Sequence, residues 1–567
     1  MSQTPRLIPV NDFILCNLHV NAHKFQIITS IASCCDVCGS SITPFSRAVK
    51  CETCNLLVHE DCTGYCYLPC FLPQNQSQSN SLESSSLEEI HNHCINGQHI
   101  LEKTVRMSPT FCTVCRSSIV SSALGVLKCR ICECYVHSKC VHGLSHLCRP
   151  VASPSNKEYH WFVPGNCNST GLTTHTCYVC KKSVGSSLAL TDFRCCYCGM
   201  FVHPQCIQYA PAFCYHGVLG KYILSPSVTE MDSEFHFKAI KRFDKEPMIF
   251  FINRKSGNLL GEQILKETQY MFSIPQVCDV FKGFEPTFEY IKPYGDNFIA
   301  VVCGGDGTVG WVMNELRKAE LKPKIFVIPL GTGNDLSHCT GWGGGYNGED
   351  IEDLLRNVSQ ALVQKLDRWQ VSIHSEIVGE TRKLIFNNYF SIGLDAGIAL
   401  NFHLRREANP DAFNSRIINK IQYVFSSPQA LTEDSGDIDK VITLIVDGKR
   451  IKLEPMQGLV FLNLVTYGGG VRFWDRVTPD ESIGGLKDSN FGDGLVEVVG
   501  FKSVIEIPLI MSGMQKPVKI AQGKVIELEL TEKKPAQTDG EPFILNPCKI
   551  VISLYDKVKI MVKNSFY

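Results

Sequence analysis

From Met248 onward the chain alternates short apolar runs with amphipathic stretches. MIFFIN, Met248 to Asn253, is an apolar run of strand length; the glycine-bearing RKSGNLLG follows it, and Glu262 to Phe272 has the spacing of a helix. The unit recurs. Phe298 to Val302 runs into Gly304, Gly305 and Gly307 around Asp306, after which Val309, Val312, Met313 and Leu316 recur at helical spacing. Ile325 to Ile328 then runs into a second glycine turn, PLGTGNDL, Pro329 to Leu336. Strand, loop and helix in repetition predict a parallel sheet with helices on both faces, an α/β lobe over residues 245–366. Ligands gather beyond the carboxyl ends of such strands, where all three glycine loops fall. After Leu366 the pattern changes. Trp369 to His374, Leu384 to Ile392, Val441 to Val446, Leu459 to Val465, Leu495 to Phe501, Val525 to Leu530 and Ile550 to Leu554 are β-branched or apolar runs separated by Gly, Asp and Pro. They predict a β-sandwich lobe over 367–567.

Composition modifies this picture in one place. Hydrophobic residues at 44%, charged ones at 20% and a formal net charge of -1 describe an ordinary soluble chain, too long for one core. No global basic field argues for nucleic acid as a partner. No apolar run approaches the ~18 residues that span a bilayer, and LIPVNDFILC near the start is broken by Asn11 and Asp12. The expectation is therefore a cytoplasmic protein without signal peptide or transmembrane helix, held at membranes peripherally and reversibly. The 29 cysteines are the exception to ordinariness: all but Cys278, Cys303, Cys339 and Cys548 lie before residue 215. In a reducing compartment, dense cysteines interleaved with histidines read as metal sites before disulfides.

The cysteine-rich part repeats itself three times. The first copy reads His23, Cys35, Cys38, Cys51, Cys54, His59, Cys62, Cys70; the middle copy His99, Cys112, Cys115, Cys129, Cys132, His137, Cys140, Cys148; the third His160, Cys177, Cys180, Cys195, Cys198, His203, Cys206, Cys214. The back half, C-x2-C-x4-H-x2-C-x7-C, has identical spacing in all three. Six thiolates and two imidazoles per copy suit two closed tetrahedral sites of structural Zn²⁺, with no open position for catalysis. The pattern resembles the phorbol-ester/diacylglycerol-type cysteine-rich domain, an α+β fold stabilised by zinc. That resemblance places modules at 20–72, 97–149 and 158–216. In the middle copy it implies one ion held by His99, Cys129, Cys132 and Cys148 and the other by Cys112, Cys115, His137 and Cys140. Cys34 and Cys196, each beside a ligand, remain alternatives, and Cys16, Cys66, Cys94, Cys134 and Cys167 are left as small buried or surface residues. Family members that capture diacylglycerol carry a Pro-Thr and a Gln-Gly pair. Only the middle copy has Pro109-Thr110, with Leu124-Gly125 in place of Gln-Gly, so weak capture is expected of it alone. Copies one and three read as scaffolding or as docking modules for signalling proteins. The Ser-, Gln- and Asn-rich stretch from Phe71 to Glu89 opens a flexible linker, 73–96, and Pro150 to Glu158 is a short spacer.

The glycine loops carry the second resemblance. A strand that runs through glycines into a helix N-terminus presents bare backbone N–H groups to phosphate oxygens. GGDGT with PLGTGNDL resembles the catalytic core of the diacylglycerol kinases and not the GxxxxGK[ST] loop, which the chain lacks. Further similar stretches follow in family order: LDRW (Leu366 to Trp369), NNYFSIGLDA (Asn387 to Ala396), FNSRIINK (Phe413 to Lys420), GDGLVEVVG (Gly492 to Gly500) and TDGEP (Thr538 to Pro542). The first loop departs from the family's pattern, with Arg254 where proline is usual.

This resemblance implies a kinase that moves the γ-phosphoryl of ATP to the free hydroxyl of diacylglycerol, giving phosphatidic acid and attenuating diacylglycerol signalling. Such a reaction needs phosphate donors, Mg²⁺ and a carboxylate that positions the acceptor. The residues implied to hold nucleotide are Asn253, Lys255, Ser256, Gly257, Gly304, Gly305, Gly307, Thr308, Gly331, Thr332 and Gly333. Asn334 and Asp335 are implied to orient nucleotide or substrate. Asp306 is implied to handle metal or proton, and Glu541 is metal-linked or the base. Asp367 joins the catalytic set and Asp493 the cofactor-binding set as supporting acidic residues. A side chain at Gly305 is expected to occupy the space of a phosphate oxygen. Finally, Leu404 to Phe425 mixes Arg405, Arg406, Arg416 and Lys420 with apolar residues, a composition that suits an anionic membrane surface.

Overall fold

The computed structural model describes residues 23–564 apart from 29–32, 39, 44–45, 54–55, 67–96, 105–109, 120–125, 145–147, 153–157, 167–174, 187–189, 235, 332, 376–378, 380, 409–436, 475, 484 and 504–505. Two compact units emerge, Met1–Lys245 with Lys266–Gln276, and Glu246–Leu265 with Val277–Tyr567.

In the first unit the sequence repeat is a structural repeat. Each module holds a three-stranded antiparallel sheet: Phe25–Ile28, Ala48–Cys51 and Leu57–His59; then Leu101–Lys103, Val126–Cys129 and Tyr135–His137; then Phe162–Pro164, Phe193–Cys195 and Phe201–Val202. A one-to-two-turn 3-10 helix follows each, at Glu60–Tyr65, Ser138–Gly143 and Pro204–Tyr209. Strands of two to four residues bury too little to fold alone, and cysteines fill the core positions that larger side chains take elsewhere. The short spacer does not keep modules two and three apart. Ile100, Ile131 and Val151 of one share an apolar cluster with Val163 and Cys196 of the other. The first module's apolar cluster is drawn from its own residues.

In the second unit the unbroken apolar runs become fully buried strands. β1 (Met248–Ile252), β2 (Val277–Asp279), β3 (Ile299–Gly304) and β4 (Lys324–Pro329) pair in parallel in the order β2-β1-β3-β4. Helices α1 (Leu260–Met271), α2 (Asp306–Lys318) and α3 (Asp335–Cys339) follow β1, β3 and β4. The boundary expected between 366 and 367 falls inside a strand, β5 (Leu362–His374), which pairs with β6 (Thr381–Phe386). β5 also runs the length of the last strand, β16 (Cys548–Val562), which lies parallel to β4. With β8 (Ile442–Val446), β9 (Lys449–Ile451) and β13 (Val525–Leu530), these strands form one ten-stranded sheet that continues from the glycine-loop side into the rest of the unit.

A second, six-stranded sheet has the order β12 (Val518–Gly523), β11 (Val496–Phe501), β10 (Gly458–Leu462), β7 (Tyr389–Gly393), β14 (Lys534–Thr538), β15 (Glu541–Leu545). Trp369, Phe386, Ile442, Leu528 and Ile550 of the first sheet cluster with Phe390, Ile392, Leu459, Phe461 and Val498 of the second. The run Leu384 to Ile392, read as one strand, is two, broken at Asn387 and Asn388, and that break carries the chemistry described next. Helix α4 (Leu394–Ala408) carries Leu404 and Arg405; the rest of the basic and apolar segment, 409–425, lies outside the described residues.

Candidate active site

Among the described residues five groups have their ligand atoms within 4.8 Å of one another: Cys35, Cys38, His59, Cys62; His99, Cys129, Cys132, Cys148; Cys112, Cys115, His137, Cys140; His160, Cys195, Cys198, Cys214; and Cys177, Cys180, His203, Cys206. The interlocked assignment of the middle copy is reproduced in both of its clusters. The remaining set, His23, Cys51, Cys54 and Cys70, includes two residues outside the described ones, Cys54 and Cys70, as are Pro109, Leu124, Gly125, Cys16, Cys94 and Cys167. In each complete cluster a histidine Nδ1 faces a thiol, as His137 faces Cys115 at 3.4 Å and His99 faces Cys132 at 3.3 Å. The Cys112 hydrogen bond pulls the Cys115 thiol down to about 4 while the same bond pushes Cys112 up. Thiols so close compete for one negative charge unless a cation joins them, which is the condition Zn²⁺ meets. Cys134, expected to be a bystander, is fully buried with its Sγ 3.5 Å from His99 Nδ1.

The phosphate side is built at the carboxyl ends of β1, β3 and β4. Asn253 donates from Nδ2 to Thr308 Oγ1 at 2.9 Å and accepts the Lys255 N–H at 3.1 Å, joining the first loop to α2. Ser256 turns the loop by donating its N–H to the Asn253 carbonyl at 3.0 Å. Gly257 lies at φ +69°, where a Cβ would meet the Leu330 carbonyl at 3.1 Å. Lys255 Nζ lies 4.5 Å from the Phe281 ring centroid. The other two loops press on each other: a Cβ on Gly305 would stand 3.1 Å from the Gly331 Cα, and one on Gly331 2.6 Å from the Gly305 Cα. Gly304 is closed on its side by Thr308. A side chain at Gly305 therefore meets the neighbouring loop at Gly331. Among the described glycines of these three loops, Gly307 and Gly333 are those beside which a Cβ would meet nothing within 4 Å. Thr332 lies outside the described residues.

Asp306 opens α2, with Gly305 as its N-cap. Its Oδ2 accepts the Asp335 N–H at 2.8 Å and Asn388 Nδ2 at 2.7 Å; its Oδ1 is buried with no donor. Burial first, then the Asp335 charge, push this carboxyl well above the ordinary carboxylate range, against those two hydrogen bonds. A buried acceptor facing no donor is costly unless something cationic completes it. The buried Asn334 Oδ1 is in the same condition, its Nδ2 donating to the Gly331 and Gly344 carbonyls at 2.8 and 2.7 Å. Both are unpartnered oxygen acceptors, the donor type that hard divalent cations take.

The other acidic candidates divide. Asp335 turns away from the loop that carries it, accepting the Gly469 and Gly470 N–H groups at 2.8–3.1 Å and so clamping the glycine turn after Tyr467. Asp539, at φ +48°, accepts the N–H groups of Asn387, Asn388 and Tyr389 at 2.8–3.0 Å and holds the strand break that delivers Asn388 to Asp306. Glu541 stands exposed across the same turn, paired in register with Thr538. Asp367 is fully buried and engaged elsewhere: its Oδ1 lies 2.7 Å from Lys557 Nζ and its Oδ2 accepts the Gly494 N–H at 2.6 Å. Asp493 accepts the Leu495 N–H in that turn. No described contact brings Asp367 or Asp493 to Asp306.

Two residues without an assigned role emerge. Asn388 is one; the other is Arg368, fully buried, which donates to Asn387 Oδ1 at 2.9 Å and to Asn314 Oδ1 of α2. Asn463 completes the lattice through the Asp367 and Asn387 carbonyls at 2.8 and 2.6 Å. The signal for them was faint: adjacent asparagines inside an otherwise apolar strand-like run, and a buried Arg-Trp pair.

The diacylglycerol kinase catalytic domain matches residues 247–371, the diacylglycerol kinase accessory domain residues 385–542, and the phorbol esters/diacylglycerol binding domain residues 99–150. "Probable diacylglycerol kinase 3" of Caenorhabditis elegans is 30% identical over 521 residues, covering 82% of this chain and 64% of that protein. Human "Diacylglycerol kinase theta" is 34% identical over 325 residues, 55% of this chain and 34% of that protein. The chain thus spans about two thirds or less of the length of the curated relatives it matches. Among solved structures, a diacylglycerol kinase from Bacillus anthracis str. Sterne aligns over 57% of this chain and 98% of its own, at 17% identity and a TM-score of 0.35. The chain is therefore similar to the diacylglycerol kinases over two adjoining stretches, 247–371 and 385–542, and to the phorbol esters/diacylglycerol binding domain over 99–150.

Proposed function

We propose that the protein is an ATP-dependent lipid kinase that phosphorylates the free hydroxyl of diacylglycerol to phosphatidic acid, and so attenuates diacylglycerol signalling. The observation that carries this reading is Asp306: a buried carboxylate between two glycine loops, held by Asp335 and Asn388 on one oxygen and left without a donor on the other. In this reading Asn253, Lys255, Ser256, Gly257, Gly304, Gly307, Thr308, Gly331, Thr332 and Gly333 surround the nucleotide. Asn334 with Asp306 holds the cation. Mg²⁺, when bound, neutralises charge on the transferred phosphoryl group. Glu541, exposed on the turn anchored by Asp539, takes the proton of the attacking hydroxyl as its oxygen bonds to the γ-phosphorus and ADP leaves. Asp335, Asp367 and Asp493 act on the shape of the site. Zinc, two ions per module, holds the N-terminal modules folded. The second module's weak lipid affinity, with an anionic bilayer as second attractant, delivers the enzyme to its substrate; signalling proteins remain partners of the first module.

The test is direct. Purified protein, Mg²⁺, ATP and mixed micelles carrying diacylglycerol or ceramide should give phosphatidic acid from the first and little product from the second. Turnover on ceramide alone would move the chain to another lipid-kinase class, and ATP affinity without turnover on either lipid would make it an inactive adaptor.

A further inference from the structure

The phorbol esters/diacylglycerol binding domain matches the middle zinc module, residues 99–150. The third repeats the back half of its ligand spacing, C-x2-C-x4-H-x2-C-x7-C. We propose that the third zinc module is a docking module whose partner is the second zinc module of the same chain, with Asn166 and Arg194 as the latches between them.

The Phe111 strand of the second module belongs to a two-residue hairpin, Thr110–Phe111 with Ser118–Ile119. Asn166 of the third module supplies what a neighbouring strand would: its Oδ1 accepts the Phe111 N–H at 2.8 Å and its Nδ2 donates to the Phe111 carbonyl at 3.1 Å. Both residues are buried, as is Thr110. An exposed strand edge is a template for unwanted pairing, and a side-chain amide that satisfies both groups closes it. The second latch joins the two metal centres. Arg194, next to the ligand Cys195, donates to the carbonyl of the ligand Cys132 at 3.3 Å and stands 3.2 Å from Glu133 Oε2. Between the latches, Arg149 stacks over the Tyr197 ring at 5.3 Å, and Tyr197 donates to the Pro150 carbonyl at 3.4 Å. Around them lies the shared cluster of Ile100, Ile131, Val151, Val163 and Cys196.

A side-chain amide matched to both backbone groups of one residue, an arginine between two ligand loops and a common apolar cluster are the features of a built interface. This face of the third module is therefore taken.

Native-state hydrogen exchange on the full chain tests this. Amides of Val126–Cys129 and Phe193–Cys195 should open together, with one denaturant dependence, while those of Ala48–Cys51 in the first module open separately. Asn166 lies at φ +50°, a conformation glycine adopts freely. Asn166→Gly thus removes the latch without straining the backbone and should speed exchange at the Phe111 amide about tenfold, the loss of two buried hydrogen bonds. Exchange in Ala48–Cys51 should not change. Separate opening of modules two and three in the wild-type chain, or unchanged Phe111 exchange in the variant, would overturn the proposal. The wild-type measurement stands even if the variant folds poorly.

Discussion

The two units reach their chemistry by opposite routes. In the first, short local pairs such as His137 with Cys140 and the C-x2-C pairs meet in clusters of thiols and imidazoles that suit Zn²⁺. In the second, Asp306, Asp335, Asn388 and Asp539 come from four separate segments, and a fold made by apolar clusters brings them together. A local site depends on its metal; an assembled site depends on its scaffold. The lesson is where each can be broken: the first unit by removing an ion, the second only by altering the packing or the few atoms that face the ligand.

The largest expected effect separates them. Chelation should unfold the zinc modules, since structural zinc contributes on the order of 10 kcal/mol to such domains. The transition of the second unit should survive, and circular dichroism melting with and without chelator would show a single lost transition. If both units melted together, the contrast between metal-held and core-held folds would fail.

Next in size is Asp306→Asn. It keeps the two hydrogen bonds to Oδ2 if the amide oxygen takes that place, and it removes the charge meant for the cation. Turnover should fall by ~100-fold or more, while the melting temperature holds or rises, because a buried carboxylate pushed above its ordinary range has been removed. For the same reason, wild-type activity should decline on the acid side at a pH above that of an ordinary carboxylate, since protonation then removes the charge; saturating Mg²⁺ should move this limb to lower pH. Equal losses of turnover and stability would mark Asp306 as structural.

A smaller contrast lies within one loop. Gly305→Ala places a Cβ against Gly331 and should cost roughly 1–3 kcal/mol of stability. Gly307→Ala meets nothing within 4 Å, so it should fold normally and instead weaken kcat/KM for ATP by about tenfold if phosphate fills that space. Melting curves set beside ATP titrations of both variants decide it; an inert Gly307→Ala would place the phosphates elsewhere.

The smallest effect is on stability alone. Burial pushes Glu497 up to about 8, with Gln522 Nε2 its donor at 2.9 Å. A carboxyl raised in the folded state adds stability below its unfolded pKa of about 4.3, and that stability is lost as pH rises toward the folded value. Glu497→Gln should therefore change little near pH 4 and stabilise above pH 8, read as the difference in denaturation midpoints between the two pH values.

Much of this was legible in the residues themselves. The repeated C-x2-C and H-x2-C pairs were legible because each pair is local, the family resemblance supplied which pairs meet, and the apolar runs MIFFIN and Ile325 to Ile328 decided parallel strands because strands covered on both faces need not alternate. The glycine loops fell at the strand ends as the alternation requires. Tertiary structure alone decided the rest. That Gly305 packs against Gly331, that Asp335 serves the turn at Gly469 and Gly470, that Asp367 is spent on Lys557, and that Asn388 reaches Asp306 across 82 residues are outcomes of long-range packing. A side chain's type and spacing state what it can bond; which partner it meets depends on how two sheets and their loops close around a shared core, and no local pattern encodes that distance.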